Sequence, residues 1–211
     1  DLAWQHPAFT ANGNCIDCHS TGFSKNFDAD SGSFNTTWQI EGISCSACHG
    51  DTAAHLRWTQ TATSESNESE DGQPYHGFKR SLRHRSEWQF VDGKSIAVRK
   101  DKHPSQDLQS CARCHALRDR IEPAAVEQPL ADQIGLQPLA APHYFGDGQI
   151  RGEVFVIGSF LQSKMHAAGV TCSDCHQPHS SELKAEGDAL CLRCHQANHF
   201  AAREHHKHPV N

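Results

Sequence analysis

Apolar positions along the chain come in short runs, and two of these runs predict regular structure. Around 87–98, EWQFVDGKSIAV sets two short alternating runs on either side of Asp92-Gly93, which predicts a β-hairpin. The segment 152–169 mixes strand and helix spacings, but its length and its Leu, Gln, Lys, Met and Ala residues favour a helix ending at Gly169. The longest apolar run, residues 152–160, is shorter than the roughly 18 to 20 residues of a membrane span.

Other segments predict turns and loops. An Asp/Ser/Gly cluster in residues 27–42 predicts a turn ahead of a short strand. Residues 59–77 are polar, acidic and without a period, which is typical of a loop. The prolines of residues 121–148 leave room for short helices only. We therefore expect one unit over residues 1–211, built mostly of short α-helices and irregular loops, with a single small β-hairpin near 88–98.

Composition changes this picture in two ways. Apolar residues, with Gly included, make up roughly 42% of the chain, slightly below the usual range, so the protein core is expected to be thin. The formal net charge is −6 and no basic block occurs, which argues against a nucleic-acid partner. The chain starts at Asp1 without a charged and apolar leader, and we interpret it as a processed or excerpted chain whose signal peptide has been removed.

All ten cysteines belong to five C-x-x-C pairs, and a histidine follows each pair. The motifs are CIDCH (15–19), CSACH (45–49), CARCH (111–115), CSDCH (172–176) and CLRCH (191–195). Disulfides, structural zinc and thioredoxin-like redox pairs are the alternatives for such cysteines. Disulfides place no demand on the residue after a cysteine, and zinc sites use the pairs two by two, which leaves one pair over. The repeated histidine indicates covalent c-type haem attachment.

The spacing suits this chemistry. Two thiols three positions apart on a helical turn can each add to one vinyl group of haem, and the next residue offers an imidazole to the iron. We therefore predict five covalently bound haem c groups. The predicted thioether residues are Cys15, Cys18, Cys45, Cys48, Cys111, Cys114, Cys172, Cys175, Cys191 and Cys194. The predicted proximal iron ligands are His19, His49, His115, His176 and His195.

Five haems leave about 42 residues of protein for each, too few for five separate cores. The expected fold is therefore short helices and loops wrapped around five stacked haems, which supply most of the apolar interior.

The sixth position of each iron decides between electron transfer and chemistry on a bound substrate. The chain has one methionine, Met165, which we expect to pack rather than ligate, whereas twelve histidines lie outside the motif positions. Bis-histidine ligation throughout is therefore predicted, although a surface position is the alternative for each histidine. The favoured distal ligands are His55, His103, His143, His166 and His179, together with one of His205, His206 and His208. His6, His76, His84 and His199 rank lower.

Parts of the chain resemble a known family. GSFLQSKMHAAGVTCSDCHQPHS (158–180), the paired motif ending in ALCLRCH and the closing HHKHP are similar to multihaem cytochromes c whose cytochrome part is often joined to tetratricopeptide repeats. CIDCHSTGF, SFNTTW and ISCSACHG point the same way. More distantly, the arrangement resembles the superfamily of the tetrahaem cytochrome of ammonia oxidisers, pentahaem nitrite reductase and hydroxylamine oxidoreductase.

The resemblance implies a haem-packed, helical or irregular fold, secretion and electron transfer. It also implies that His179 is an axial ligand and places His205 and His208 among the haem ligands. The chain departs from the family because no further haem motif lies before Cys15 or after Cys194 and no repeat domain follows. One option is that His6 or the closing histidines ligate a haem in a neighbouring subunit.

The leading hypothesis is an electron carrier with a chain of closely spaced bis-histidine haems, located outside the cytoplasm of a prokaryote: in the periplasm, on the outer surface or extracellular. Its expected partners are redox proteins or extracellular electron acceptors, and one option is a homopolymeric extracellular filament with haem ligation between subunits. The alternative is a multihaem reductase of nitrite, hydroxylamine or a sulfur oxyanion, which needs one open iron. A structural or metal-storage role would leave the five motifs unexplained.

Overall fold

A computed structural model describes residues 10–61, 74–79, 82, 87–100, 106–121 and 128–207. Short helices joined by irregular segments dominate these ranges, as predicted. The α-helices are α1 (Cys15–His19), α2 (Cys45–His49), α3 (Ala53–Thr61), α4 (Asp107–Ala112), α5 (Ile157–Leu161), α6 (Lys164–Ala167), α7 (Cys172–Cys175), α8 (Asp188–Leu192), α9 (Ala197–Phe200) and α10 (Arg203–His206). Helices this short are unstable alone, so packing and hydrogen bonds from elsewhere in the chain must stabilise them.

The strands of the described ranges form four two-stranded antiparallel sheets. The pairs are β1 (Ser20–Thr21) with β4 (Ile40–Glu41), β2 (Phe27–Asp28) with β3 (Ser33–Phe34), β5 (Trp88–Gln89) with β6 (Val98–Arg99), and β7 (Arg118–Arg120) with β8 (Ile134–Leu136). The expectation of a single hairpin is therefore wrong in number. Strands of two or three residues are too short to show an alternating period, so the sequence pattern did not reveal them.

The hairpin predicted near 88–98 is confirmed as the pair β5–β6, but only its two ends pair with each other. The turn lies where Asp92-Gly93 predicted it: the amide of Lys94 donates to the oxygen of Val91 at 3.1 Å, and Gly93 has a φ of +77°. Beyond the turn, the amide of Ala97 donates to the oxygen of Cys194 at 2.8 Å. The middle of the hairpin therefore does not pair across its own two strands, because this part of the second strand bonds to the fifth motif.

The predicted turn in residues 27–42 is also confirmed, with strands on both sides of it. Asp28 organises the turn, because its carboxylate accepts from the amide of Asp30 at 2.9 Å and from the hydroxyl of Ser31 at 2.6 Å. These donors, Ser31 first, lower the pKa of Asp28 below its ordinary value. The resulting β2–β3 turn leads back into β4, which pairs with β1 directly after the first motif.

The segment 152–169 forms two short helices, α5 and α6, rather than one continuous helix. Ser163 separates them, because its hydroxyl caps α6 by accepting from the amide of His166 at 3.0 Å. The predicted end at Gly169 is confirmed: this residue has a φ of +92° and follows the C-cap Ala168. His166 therefore lies on a helix, as expected.

Two segments predicted as irregular contain some regular structure. Helix α3 extends to Thr61, inside the predicted 59–77 loop, and Pro74–Gly77 forms a 3-10 turn. Residues 62–73 lie outside the described residues. Within 121–148 the helical content is limited to the 3-10 turn Leu130–Asp132, which agrees with the restriction set by the prolines, while residues 122–127 are not described.

The protein core is thin, as composition predicts. Among the described residues the buried apolar side chains are Phe23, Ala97, Ala112, Ala116, Ile134, Tyr144, Val154 and Ile157. More than twice as many large apolar side chains are exposed, including Ile43, Phe90, Phe145, Phe155 and Val156. Apolar surface on this scale needs cover that the described protein does not supply.

Contacts divide the chain into two compact units. Unit 1 lies within Asp1–Leu82 and Gln109–Ser159 and carries motifs one to three, whereas unit 2 lies within Arg83–Leu108 and Phe160–Asn211 and carries motifs four and five. The expectation of one unit over 1–211 depended on haem groups filling a common interior, and it stays a prediction.

Candidate functional site

Each of the five motifs forms a helical turn. Motifs one and two fill the helices α1 and α2. In the other three motifs, the histidine amide donates to the oxygen of the first cysteine at 2.9 to 3.0 Å: His115 to Cys111, His176 to Cys172, and His195 to Cys191. Residues three apart on such a turn are neighbours on one face, so each motif presents its two sulfurs together.

The cysteines of different motifs are not assembled into a metal or disulfide site. All ten lie within the described ranges, and no disulfide joins any of them. In the same ranges, no group of three or more His, Cys, Asp or Glu side chains is arranged to hold a metal ion.

A buried charge cluster surrounds the first motif in unit 1. Asp17 lies between the two cysteines of this motif, and its carboxylate is 2.7 Å from the guanidinium of Arg118 and also contacts Arg120. The three side chains are 8%, 4% and 14% exposed, respectively. The Arg118 guanidinium also donates to the sulfur of Cys18 at 3.3 Å. Two cations and one carboxylate thus lie beside the first pair of thiols, with excess positive charge.

The same cluster joins motif one to motif three. The Cys18 sulfur lies 3.8 Å from the main-chain oxygen of Cys114. A hydrogen bond from the Cys114 thiol, helped by the Arg118 cation and opposed by burial, lowers the pKa of Cys18 from 9.0 to about 7. The same hydrogen bond, together with burial, raises the pKa of Cys114. In the unmodified chain Cys18 is therefore the more acidic of these two thiols.

Motif three also contacts motif two. The hydroxyl of Ser110, which precedes the first cysteine of motif three, donates to the main-chain oxygen of Cys48 at 3.2 Å. Motif three therefore lies beside both other motifs of unit 1.

In unit 2, Asp174 organises motif four and links it to motif five. Its carboxylate accepts from the amide of Thr171 at 2.8 Å in a capping box and from the indole of Trp88 at 2.7 Å. Its main-chain oxygen accepts from the guanidinium of Arg193, inside motif five, at 2.7 Å. Asp107 adds a further contact, because its carboxylate accepts from the amide of Ser173 at 3.0 Å.

Burial gives two thiols of unit 2 a pKa shift opposite to that of Cys18. The pKa of Cys175 and that of Cys194 are both raised, first by burial and then by the nearby Asp174 carboxylate. The thiols of these two residues are therefore protonated at neutral pH in the unmodified chain.

Two of the predicted distal ligands have the hydrogen bond that a metal-binding histidine needs. Nδ1 of His55 is 2.8 Å from the main-chain oxygen of His76, and Nδ1 of His166 is 3.0 Å from that of Leu161. A carbonyl oxygen only accepts, so Nδ1 carries the proton in both rings and Nε2 keeps its lone pair. Carbonyl groups orient metal-ligating histidines in this way.

The other candidates are less defined. His143 is half-buried in the turn before Tyr144, while His179 and His205 are exposed. The His205 ring packs edge-on against Phe200 at 4.9 Å, and Phe200 also contacts the predicted proximal ligand His195 at 4.4 Å. Phe200 therefore packs on one proximal and one candidate distal imidazole. His6, His103 and His208 lie outside the described residues, as does His84.

The described residues fit haem in two respects. Apolar side chains are exposed in greater number than they are buried. In unit 1, a cavity of ≈ 590 Å³ opens beside Cys114, and its mostly polar lining includes apolar Phe23 and Ile43, the cations Arg113 and Arg120, and the carboxylates Asp17 and Asp51. The apolar side chains and the arginines of this lining suit a flat apolar ring that carries carboxylates.

Sequence reasoning missed the groups that hold these motifs in place. Asp17, Arg118 and Asp174 are buried charges, and a charged residue inside a C-x-x-C pair was the available signal for both aspartates. The role of the His76 carbonyl could not be predicted from the sequence, because every residue has a main-chain carbonyl.

Comparison with known families agrees with this site. The family model described as "Doubled CXXCH motif" matches residues 165–200, and the model described as "Cytochrome c554 and c-prime" matches residues 3–50. No curated protein and no solved structure matches the chain significantly. The specific likeness to repeat-associated cytochromes stays a prediction.

Helices of the described residues are too short or too polar to cross a membrane. Two matches at separate ends of the chain and five CxxCH motifs lead to the same conclusion. They support a multihaem c-type cytochrome that transfers electrons.

Proposed function

We propose that the chain is a pentahaem electron carrier whose haems are all ligated by two histidines. One observation carries the proposal: each of the five motifs forms a helical turn that presents its two cysteines together, in a protein with few buried apolar residues. When bound, haem supplies reversible one-electron exchange at its iron. The protein supplies attachment, ligand orientation and a shaped, partly apolar surround.

The ten motif cysteines would attach the haems through thioether bonds, and the five motif histidines would be the proximal iron ligands. Among the distal ligands, His55 and His166 have the strongest support, because a carbonyl fixes the proton on Nδ1 in each ring. His143, His179 and His205 complete the described candidates. His103 and His208 remain in the proposal on sequence grounds alone.

The charge cluster at motif one has a separate role in this proposal. Arg118 and Arg120 together outweigh Asp17, so a haem attached at Cys15 and Cys18 would experience net positive charge at short range. Positive charge in a buried setting favours the reduced iron, because reduction adds an electron. The cluster would therefore give a haem at motif one a higher reduction potential than bis-histidine ligation alone.

Location and partners belong to the same proposal. Attachment of haem to CxxCH requires reduced thiols outside the cytoplasm, which supports a periplasmic, outer-surface or extracellular site. The partners would be redox proteins or extracellular acceptors. A filament with ligation between subunits stays a prediction, because His6 and His208, the histidines nearest the two ends, lie outside the described residues.

Haem counting tests the proposal directly. Pyridine haemochrome analysis combined with the intact mass of the native protein should give five covalent haems for each chain. Electron paramagnetic resonance of the oxidised protein should show only low-spin iron. Fewer than five haems would overturn the pentahaem assignment, whereas a high-spin signal with nitrite-dependent reoxidation would replace the carrier by the reductase alternative.

A further inference from the structure

Residues 76–78, called the 76–78 clamp below, pack against the helix α3 that carries His55. Gly77 is buried there, and a Cβ added to it would lie 2.7 Å from the main-chain oxygen of Ala54 and 2.8 Å from the main-chain nitrogen of His55. Its φ of +84° is also unfavourable for any residue with a side chain. Glycine at this position is therefore required for the close approach of the clamp to the first turn of α3.

The close approach places one oxygen beside the His55 ring. The peptide between His76 and Gly77 carries the carbonyl that accepts from Nδ1 of His55 at 2.8 Å. The residues on both sides of this peptide have left-handed backbones, since His76 has a φ of +56°. Non-glycine residues hold this conformation only where their surroundings fix it. The direction of this carbonyl is therefore set by the backbone of the clamp.

The third member of the clamp contacts two histidines. The Phe78 ring stacks on the His55 ring with centroids 4.2 Å apart and planes 17° apart. It also packs on His49, the proximal ligand of motif two, with centroids 4.8 Å apart. Phe78 therefore restricts the rotation of a proximal and a candidate distal imidazole at once.

We propose that the 76–78 clamp is a positioning device for His55. The His76 carbonyl fixes its tautomer, Gly77 allows the approach, and Phe78 fixes the plane of the ring. This inference rests on the ligand role proposed for His55. A carbonyl that accepts from Nδ1–H makes the imidazole a stronger donor to iron and stabilises the oxidised state. The clamp therefore holds the haem ligated by His55 at a lower potential than the same ligand would give without it.

The deciding variant is Gly77→Ala, because its added methyl group separates the clamp from α3. One of the redox transitions in a spectroelectrochemical titration should move to higher potential, and one low-spin resonance signal should change its g-values or give way to a high-spin signal. Haem content should stay at the wild-type value. A Gly77→Ala protein with every transition and signal at the wild-type position would overturn the proposal.

Gly32→Ala is the matched control within unit 1. Gly32 also has a positive φ, +63°, but a Cβ there would meet nothing within 4 Å. This variant carries the same kind of backbone cost without the steric contact, so its transitions and signals should match the wild type. An equal shift in both variants would also overturn the proposal.

A second pair of variants covers the case in which Gly77→Ala does not assemble. Phe78→Leu removes the ring that stacks on His55 and should alter the g-values of one low-spin signal. Phe34→Leu is its control, because Phe34 packs on Phe27 with centroids 4.8 Å apart at the β2–β3 turn. No spectral change in Phe78→Leu, or the same change in both, would overturn the clamp.

His55→Ala separates failure of the clamp from failure of the ligand assignment. Loss of one low-spin signal in this variant, with no effect of Gly77→Ala, would leave His55 as a ligand and remove the clamp. Six-coordinate low-spin iron throughout the His55→Ala protein would remove the ligand assignment itself and the clamp with it.

Discussion

Unit 1 and unit 2 differ in what fills them. All the buried apolar residues of the described chain except Ala97 lie in unit 1. Both units bury polar groups, but those of unit 2 have little apolar company: Thr171, Ser173, Asp174 and Asp107, joined by hydrogen bonds. Apolar burial is the main favourable contribution to folding. Unit 2 would therefore depend more than unit 1 on covalently bound haem for stability.

The two units also hold their candidate distal ligands differently. In unit 1 the carbonyl that accepts from His55 lies 21 residues away along the chain, and a glycine contact keeps it there. In unit 2 the carbonyl that accepts from His166 is only five residues away, and the Ser163 cap keeps this local turn in place. A ligand held locally survives changes elsewhere in the unit, whereas a ligand held by a distant segment does not.

Loss of a haem should give the largest difference between the units. In a Cys191→Ser/Cys194→Ser protein, amide protection around motif five and the 88–99 hairpin should fall towards that of an unfolded chain, because little apolar burial remains. In a Cys15→Ser/Cys18→Ser protein, protection around the core residues Val154 and Ile157 should persist. Hydrogen exchange read by mass spectrometry measures both, and equal losses would contradict the comparison.

The second largest effect should be the loss of stability when the buried carboxylate of Asp17 in unit 1 or of Asp174 in unit 2 is removed. Asp17→Ala leaves the buried cations Arg118 and Arg120 without their carboxylate, so the opening free energy of unit 1 should fall by about 3 to 5 kcal/mol. Asp174→Ala removes a capping box and the Trp88 hydrogen bond, which together contribute about 2 kcal/mol. Local exchange rates under native conditions check both values, and a larger loss for Asp174→Ala would reverse the ranking.

Unit 1 keeps its buried apolar residues without haem, so its thiols should differ in reactivity by about a factor of ten. In the reduced chain without haem, the pKa of Cys18 is lowered to about 7, so its alkylation should rise with pH through that value and level off above it. A hydrogen bond and burial raise the pKa of Cys114, so its rate should still be climbing above pH 9. Peptide mapping after brief iodoacetamide treatment measures the order, and matching pH profiles would contradict it.

The smallest effect should come from the local turn that holds His166. Ser163→Ala removes the cap of α6 and should cost about 1 kcal/mol of local stability. Because the Leu161 carbonyl is so near in sequence, the resonance signals should stay at their wild-type positions, in contrast to Gly77→Ala. A ligand-field change in Ser163→Ala would show that the two units hold their ligands alike.

Local chemistry allowed much of the site to be predicted from the sequence. The helical turns of the motifs, the turn at Asp92-Gly93 and the helix end at Gly169 each depend on residues that are close together along the chain. The carbonyl contacts of His55 and His166 support two histidines that spacing had already favoured.

The remainder depends on contacts between distant residues, which spacing does not encode. Arg118 meets Asp17 across 101 positions, and Trp88 meets Asp174 across 86. The additional β pairs are similar, because strands of two residues are fixed by their partners and not by a period. A thin apolar core also weakens the periodic signal on which strand and helix prediction depends.

Motif three has a consequence for how the cytochrome is made. Motifs one and two are adjacent along the polypeptide, yet Cys18 contacts motif three across 96 positions and Cys48 accepts a hydrogen bond from Ser110, directly before motif three, across 62. Translation therefore delivers the first two motifs well before the segment that joins them. Unit 1 can complete these contacts only after its third motif has been made, so haem attached in chain order would reach the first two motifs while the chain is still open.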